Sequence, residues 1–108
     1  MEPVERVTRH FQEELEQLKV RLLKMGGLAE ENVRLAVQSL VERDQALLER
    51  VLSGDEPVNR LHIEVDNRCF TLLALYQPMA TDLRAIVAAV KINTDLERVG
   101  DLAVNIAE

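Results

Sequence analysis

The sequence predicts an all-α three-helix bundle, and three observations carry that prediction. Apolar residues recur in steps of three and four over most of the chain, the spacing that lines one face of an α-helix. Of the 108 residues 47% are hydrophobic but only 3% aromatic, so the core is assembled from Leu, Val, Ile, Ala and Met, side chains that suit helices. Turn-forming residues interrupt the pattern at few places, Arg43-Asp44, Ser53-Gly54-Asp55 and Gln77-Pro78. A chain of this length makes one domain, residues 1–108, and buries roughly 60–68% of its unfolded surface.

The first helix is expected from about Pro3 to Arg43. Phe11, Leu15, Leu18, Leu22, Met25, Ala29, Val33, Ala36 and Leu40 form its apolar face. The Gly26-Gly27 pair costs about 1 kcal/mol per glycine in a helix interior, yet the apolar phase runs through it without a slip, so a bend is predicted there and not a break. Pro3 suits the first turn. Asp44 caps a short connecting helix, Gln45 to Leu52, which Ser53-Gly54-Asp55 ends. A second long helix then starts, with Asp55 as its N-cap and Pro57 in its first turn. Val58, Leu61, Val65, Cys69, Leu72 and Tyr76 form its stripe, and Gln77-Pro78 stops it because the residue before a proline is pushed from helical geometry. Thr81 caps the third helix, with Asp82 at its positive end. Long helices joined by short turns run antiparallel to their neighbours. The helical pattern is still running at Ala107-Glu108, which reads as a piece of something longer or as a unit that pairs.

Composition removes several function classes. A net charge of −6, with no Lys/Arg run, offers nothing to a nucleic-acid backbone. No apolar stretch approaches the roughly 20 residues that span a bilayer, and the charged start is no secretory leader. A soluble, cytoplasmic protein is expected. The single Cys69 excludes an internal disulfide and sits on an apolar stripe as a buried, inert thiol. No phosphate-cradling glycine loop and no Ser or Cys nucleophile with a base is visible, so an enzyme is disfavoured.

The informative stretch is Lys91 to Glu108, KINTDLERVGDLAVNIAE. The first half of the third helix is apolar nearly all round. In the second half, Ile92, Leu96, Val99, Ala103 and Ile106 are expected to pack, while Asn93, Glu97, Asp101 and Asn105 follow one another at four-residue intervals on the other side. Successive members differ by about 40° of rotation and one turn of rise, so their oxygens can converge. Glu97 and Asp101 repel at i and i+4 unless something positive sits between them. Asn93 and Asn105 add neutral oxygens, and Gly100 bares the backbone to an ion or another helix. Such an all-oxygen set favours hard cations, Mg, Ca, Mn or ferric iron. A solvated helix face is the plainer alternative. Asp95, with Lys91 and Arg98 at helical spacing, reads as structural. Neither His10 nor His62 has a glutamate three residues before it, which removes a ferritin-like di-iron site and leaves both at the surface or boundary. Glu64 and Asp66 could approach a neighbour's cations but read as solvated acids. Arg84, Lys91 and Arg98, spaced by seven, read as a basic surface stripe.

Met25-Gly26, then QPMATDLRAI (Gln77 to Ile86) and KINTDLERVGDLAVNIAE, closely resemble the PhoU family, bacterial regulators of phosphate uptake. The similarity runs over essentially the whole chain. The resemblance implies a three-helix repeat whose third-helix E(D)xxxD motif, here Glu97 and Asp101 with Asn105 one turn on, binds metal: a multinuclear iron cluster in some members, divalent ions such as Mg, Mn or Zn in others. It also implies a non-catalytic negative regulator of phosphate-starvation signalling, acting between the phosphate transporter's ATPase and a sensor histidine kinase, at the periphery of a membrane transporter complex. Family members carry two such repeats, and this chain matches one. Either the second repeat lies outside this sequence, or the chain forms a homo-oligomer, a dimer that recreates the double arrangement. The rival class is a metal-free helical oligomerisation module, and a metal-dependent hydrolase stands third.

Overall fold

The computed structural model describes residues 4–108, with side chains from Thr8 onward. Three helices make the fold: α1, Val4–Glu42; α2, Gln45–Tyr76; and α3, Ala80–Ala107. Each packs on both others in a rod of 61 × 19 × 15 Å. The three-helix bundle expected from the periodicity is what forms, and α1 runs through Gly26-Gly27 as one helix. Pro3, assigned to the first turn, lies outside the described residues. Among the described residues no helix is long and apolar enough to cross a membrane.

The turns are built from local chemistry. Asp44, extended at φ −96°, accepts from the backbone N–H of Ala46 and Leu47 and so caps α2. Gln77 closes α2 in the left-handed region at φ 46°, before Pro78. At the start of α3 the cap position belongs to Met79 and not Thr81, with no side-chain bond to the free N–H groups; Asp82 stands in the first turn, where the helix dipole favours it.

The short connecting helix does not exist as a separate element. Gln45–Leu52 runs straight into the second helix through Ser53, Gly54, Asp55 and Pro57. Pro57 removes one i→i−4 bond, a cost of about 3 kcal/mol, but Val51 and Val58 on either side are fully buried and the helix continues through it. Gly54 is there for closeness and not for a turn. A Cβ at that position would lie 2.4 Å from Asn32 Oδ1, so glycine lets α1 and α2 touch. Asp55, expected to cap a helix, lies inside one and accepts from Asn59 Nδ2 at 3.1 Å.

Two apolar clusters occupy the rod. Phe11, Leu15, Leu18, Val65, Cys69, Leu72, Ile86 and Ala89 fill one end, and Leu35, Ala36, Val51 and Ala103 the other. Phe11 and Tyr76 pack with ring centroids 5.0 Å apart. Cys69 is 1% exposed and desolvation raises its thiol to about 11, which fits an inert side chain. Between the clusters the buried residues turn partly polar, with Asn32 and Asn93. Leu40, placed on the apolar face by its phase, is 63% exposed.

A cross-helix salt bridge braces α1 on α2. Glu64 accepts from Arg21 Nε at 2.5 Å and from Arg68 Nε at 3.2 Å, and Arg68 also reaches Glu14 at 3.3 Å. The solvated-acid reading of Glu64 is therefore wrong. Arg21 first, then Arg68, hold its carboxyl below the ordinary range. A group lowered by folding lends stability above its unfolded pKa and loses it as pH falls through the folded one. The site is partly exposed, so Glu64→Gln should cost only about 1 kcal/mol at neutral pH. In denaturant titrations that difference should vanish on acidification below the carboxylate range; a pH-independent loss would mean packing, not charge.

Candidate functional site

The sequence places a polar stripe on α2 as well as on α3. Asp55, Asn59, His62 and Asp66 follow at spacings of four, three and four, one helical face. That face meets Asn93, Glu97 and Gly100 of α3. Gly100 is buried, and a Cβ there would sit 3.3 Å from both Asp55 Oδ1 and Val58 Cγ1. Its bare backbone therefore serves the approach of a second helix.

Asn93 locks the crossing. It is fully buried, and its Nδ2 donates to the His62 carbonyl and to Asp66 Oδ1, each at 3.0 Å. Its Oδ1 is buried without a partner, as are His62 Nδ1 and Asp55 Oδ1. One turn on, Glu97 Oε2 stands 2.9 Å from His62 Nε2, and Asp66 Oδ2 lies 3.5 Å from the same nitrogen. The ring is largely enclosed, whereas the two carboxylates are about one-third and one-half exposed. One imidazole edge thus faces two acids at the α2–α3 crossing.

The four-residue line on α3 does not converge as a whole. Each step rotates by about 40°, so Asn93 and Asn105 differ by roughly 120°. Asn93 enters the core, Glu97 sits at the edge, and Asp101 and Asn105 are exposed. The packing face is displaced accordingly. Ile86, Ala89, Asn93, Gly100 and Ala103 are buried, while Ile92 is 48% exposed. Small side chains at Ala89, Gly100 and Ala103 bring the helices close enough for an amide to reach across. Asp95 lies 4.0 Å from Arg98, as the spacing suggested. His10 is exposed and His62 stands at the boundary, as expected, but its role in the crossing was not foreseen. The signal that could have found it is the His62/Asp66 spacing, i and i+4, the same as that of Glu97 and Asp101.

Chemically, the crossing brings together an imidazole nitrogen and two carboxylates, with an unpartnered amide oxygen buried nearby on Asn93. Among the described residues no three His, Cys, Asp or Glu side chains form a ready-made metal cage.

The PhoU domain family matches residues 22–108, a span that includes both polar stripes and the whole α2–α3 crossing. The chain belongs to the PhoU family. Similar proteins include the phosphate-specific transport system accessory protein PhoU homolog of Caulobacter vibrioides, 42% identical over 104 residues. That of Aquifex aeolicus is 43% identical over 95 residues, and the phosphate-specific transport system accessory protein PhoU of Serratia marcescens 37% identical over 97. These alignments cover 96%, 88% and 90% of this chain but only 45%, 43% and 40% of the relatives. This PhoU chain therefore spans less than half the length of each.

Proposed function

We propose that this PhoU chain is a metal-binding regulatory module of phosphate uptake. It acts by contact with the phosphate transporter's ATPase and a sensor histidine kinase, on the cytoplasmic side of the membrane and without catalysis. The relatives named as accessory proteins of phosphate-specific transport support the physiological part. The meeting of His62, Asp66 and Glu97 at the α2–α3 crossing supports the metal part. Glu97 and Asp101 are the principal ligands in this reading, with His62 and Asp66 contributed by α2; Asn93, buried in the crossing, and Asn105, about 120° round the helix, do not reach the same ion. The coordination is completed by water, anions or groups of a second copy of this chain. The metal supplies positive charge that holds α2 on α3 and presents one surface to a partner.

A second reading has its own support. His62 already faces Glu97 at 2.9 Å, so the acid is met without an ion, as a purely structural oligomerisation module would have it. Elemental analysis of protein purified without chelator separates the two. Bound metal in the natural sequence, lost in Glu97→Ala/Asp101→Ala with helicity unchanged, is the expected result. Metal-free protein, or metal retained by the double variant, would remove the inorganic part of the proposal.

A further inference from the structure

The chain carries 19 acidic residues, yet the stretch from Asn67 to Lys91 holds only Asp82, which lines the groove between α1 and α3 on another side of the rod. The same stretch carries Arg68, Arg84 and Lys91. Arg68 is engaged by Glu14 and Glu64, whereas Arg84 and Lys91 form no ion pair among the described residues; Asp95, one turn past Lys91, lies 4.0 Å from Arg98 instead. Two cations are left unmet. Between them the surface is apolar: Leu83, Val87 and Ala88, with Arg84 and Lys91, line a shallow cavity of about 390 Å³. The antiparallel neighbour α2 adds an aromatic ring. Asp66 bonds Asn93 and Val58 lies against Gly100, and that register carries Phe70, one turn past Asp66, to the level of Val87 and Ala88. Phe70 is 75% exposed.

We infer that this α2/α3 face, from Phe70 to Lys91, is where a partner protein lays an acidic amphipathic helix. Its apolar side covers Phe70, Leu83 and Val87, and its carboxylates meet Arg84 and Lys91. The two cations are seven residues apart, two turns that return to within about 20° of the same side. A helix laid along α3 meets both with acids at i and i+7, and its residue at i+3 or i+4 falls on Val87. A bilayer is the other surface that takes a basic, apolar patch. Each cation held near an anionic membrane contributes about 1 kcal/mol, so two of them are outweighed by a chain of net charge −6. A helix touches the patch alone. Asp66, the nearest acid on α2, accepts from Asn93 and lies 3.5 Å from His62, which keeps it occupied at the edge of the contact.

This surface deepens the partner contact proposed above and rests on that reading. Biolayer interferometry of the intact chain against the purified transporter ATPase and against the cytoplasmic part of the sensor kinase tests both. Binding to at least one is expected, weakened roughly tenfold or more by Phe70→Ala. Arg84→Glu/Lys91→Glu should weaken it by a similar factor and remove its dependence on salt. Lys19→Glu/Lys24→Glu makes the same change of net charge on α1 and should alter the affinity less than about twofold. All five positions are exposed, so circular dichroism should be unchanged. No binding to either protein would overturn the partner reading and the surface together. Binding indifferent to Phe70→Ala and to the Arg84/Lys91 reversal would overturn this surface and leave the partner reading standing. An equal loss in Lys19→Glu/Lys24→Glu would reduce the effect to net charge, and Phe70-dependent binding to phosphatidylglycerol vesicles would put a bilayer in the helix's place; either result overturns the inference.

Discussion

Asn93→Asp should destabilise the bundle by about 3–5 kcal/mol at neutral pH, among the largest losses open to a change of one atom. The fully buried amide now gives its two hydrogens to oxygens, the His62 carbonyl and Asp66 Oδ1. A carboxylate in its place would point an acceptor at two acceptors and set a charge beside that of Asp66. Thermal unfolding should begin on the order of 12 °C lower or more. The loss should shrink in acid, since the introduced carboxyl group regains a donor once protonated, and its folded-state pKa is raised above the unfolded one. Asn93→Ala should cost only about 1–3 kcal/mol, with no such dependence on pH. Equal losses for the two variants would show that shape, and not the direction of hydrogen bonding, matters at this crossing.

The second large effect is expected at Gly54. Valine there drives its Cβ to 2.4 Å from Asn32 Oδ1, and Asn32 is itself 6% exposed with little room to swing. Overpacking of this kind costs about 1–3 kcal/mol, well above the few tenths that valine gains over glycine in a helix. Asn32→Ala should be mild, because it removes an amide whose Nδ2 is buried without a partner. In the double variant the Gly54→Val loss should fall by at least half. Chemical denaturation of the four proteins in the cycle measures that coupling. Additive losses would place the strain somewhere other than the Gly54/Asn32 contact.

Much of the fold was legible because a 3.6-residue period reports itself along many turns. The caps at Asp44 and the stop at Gln77-Pro78 were legible for a local reason: each acts on its own neighbours. Where the reading missed, a contact with another helix had overruled a local signal. Ser53-Gly54-Asp55 has the composition of a turn, but Gly54 is small because α1 lies against it. Ile92 is apolar and Asn93 polar, yet Asn93 is the one enclosed, since only it can satisfy oxygens presented by α2. The acidic line of α3 was visible at once and its family followed from its motif. His62 was not, because a histidine shows its purpose only when the helix across from it is known.

The unbroken course of α2 has a mechanical consequence. At 32 residues it is a strut of about 48 Å, seated in one apolar cluster through Val51 and in the other through Val65, Cys69 and Leu72. His62 sits between those two seats. A shift of the strut at the crossing cannot be absorbed by a joint at residues 53–55, so it must be delivered to both extremities of the molecule, where a docked protein would feel it.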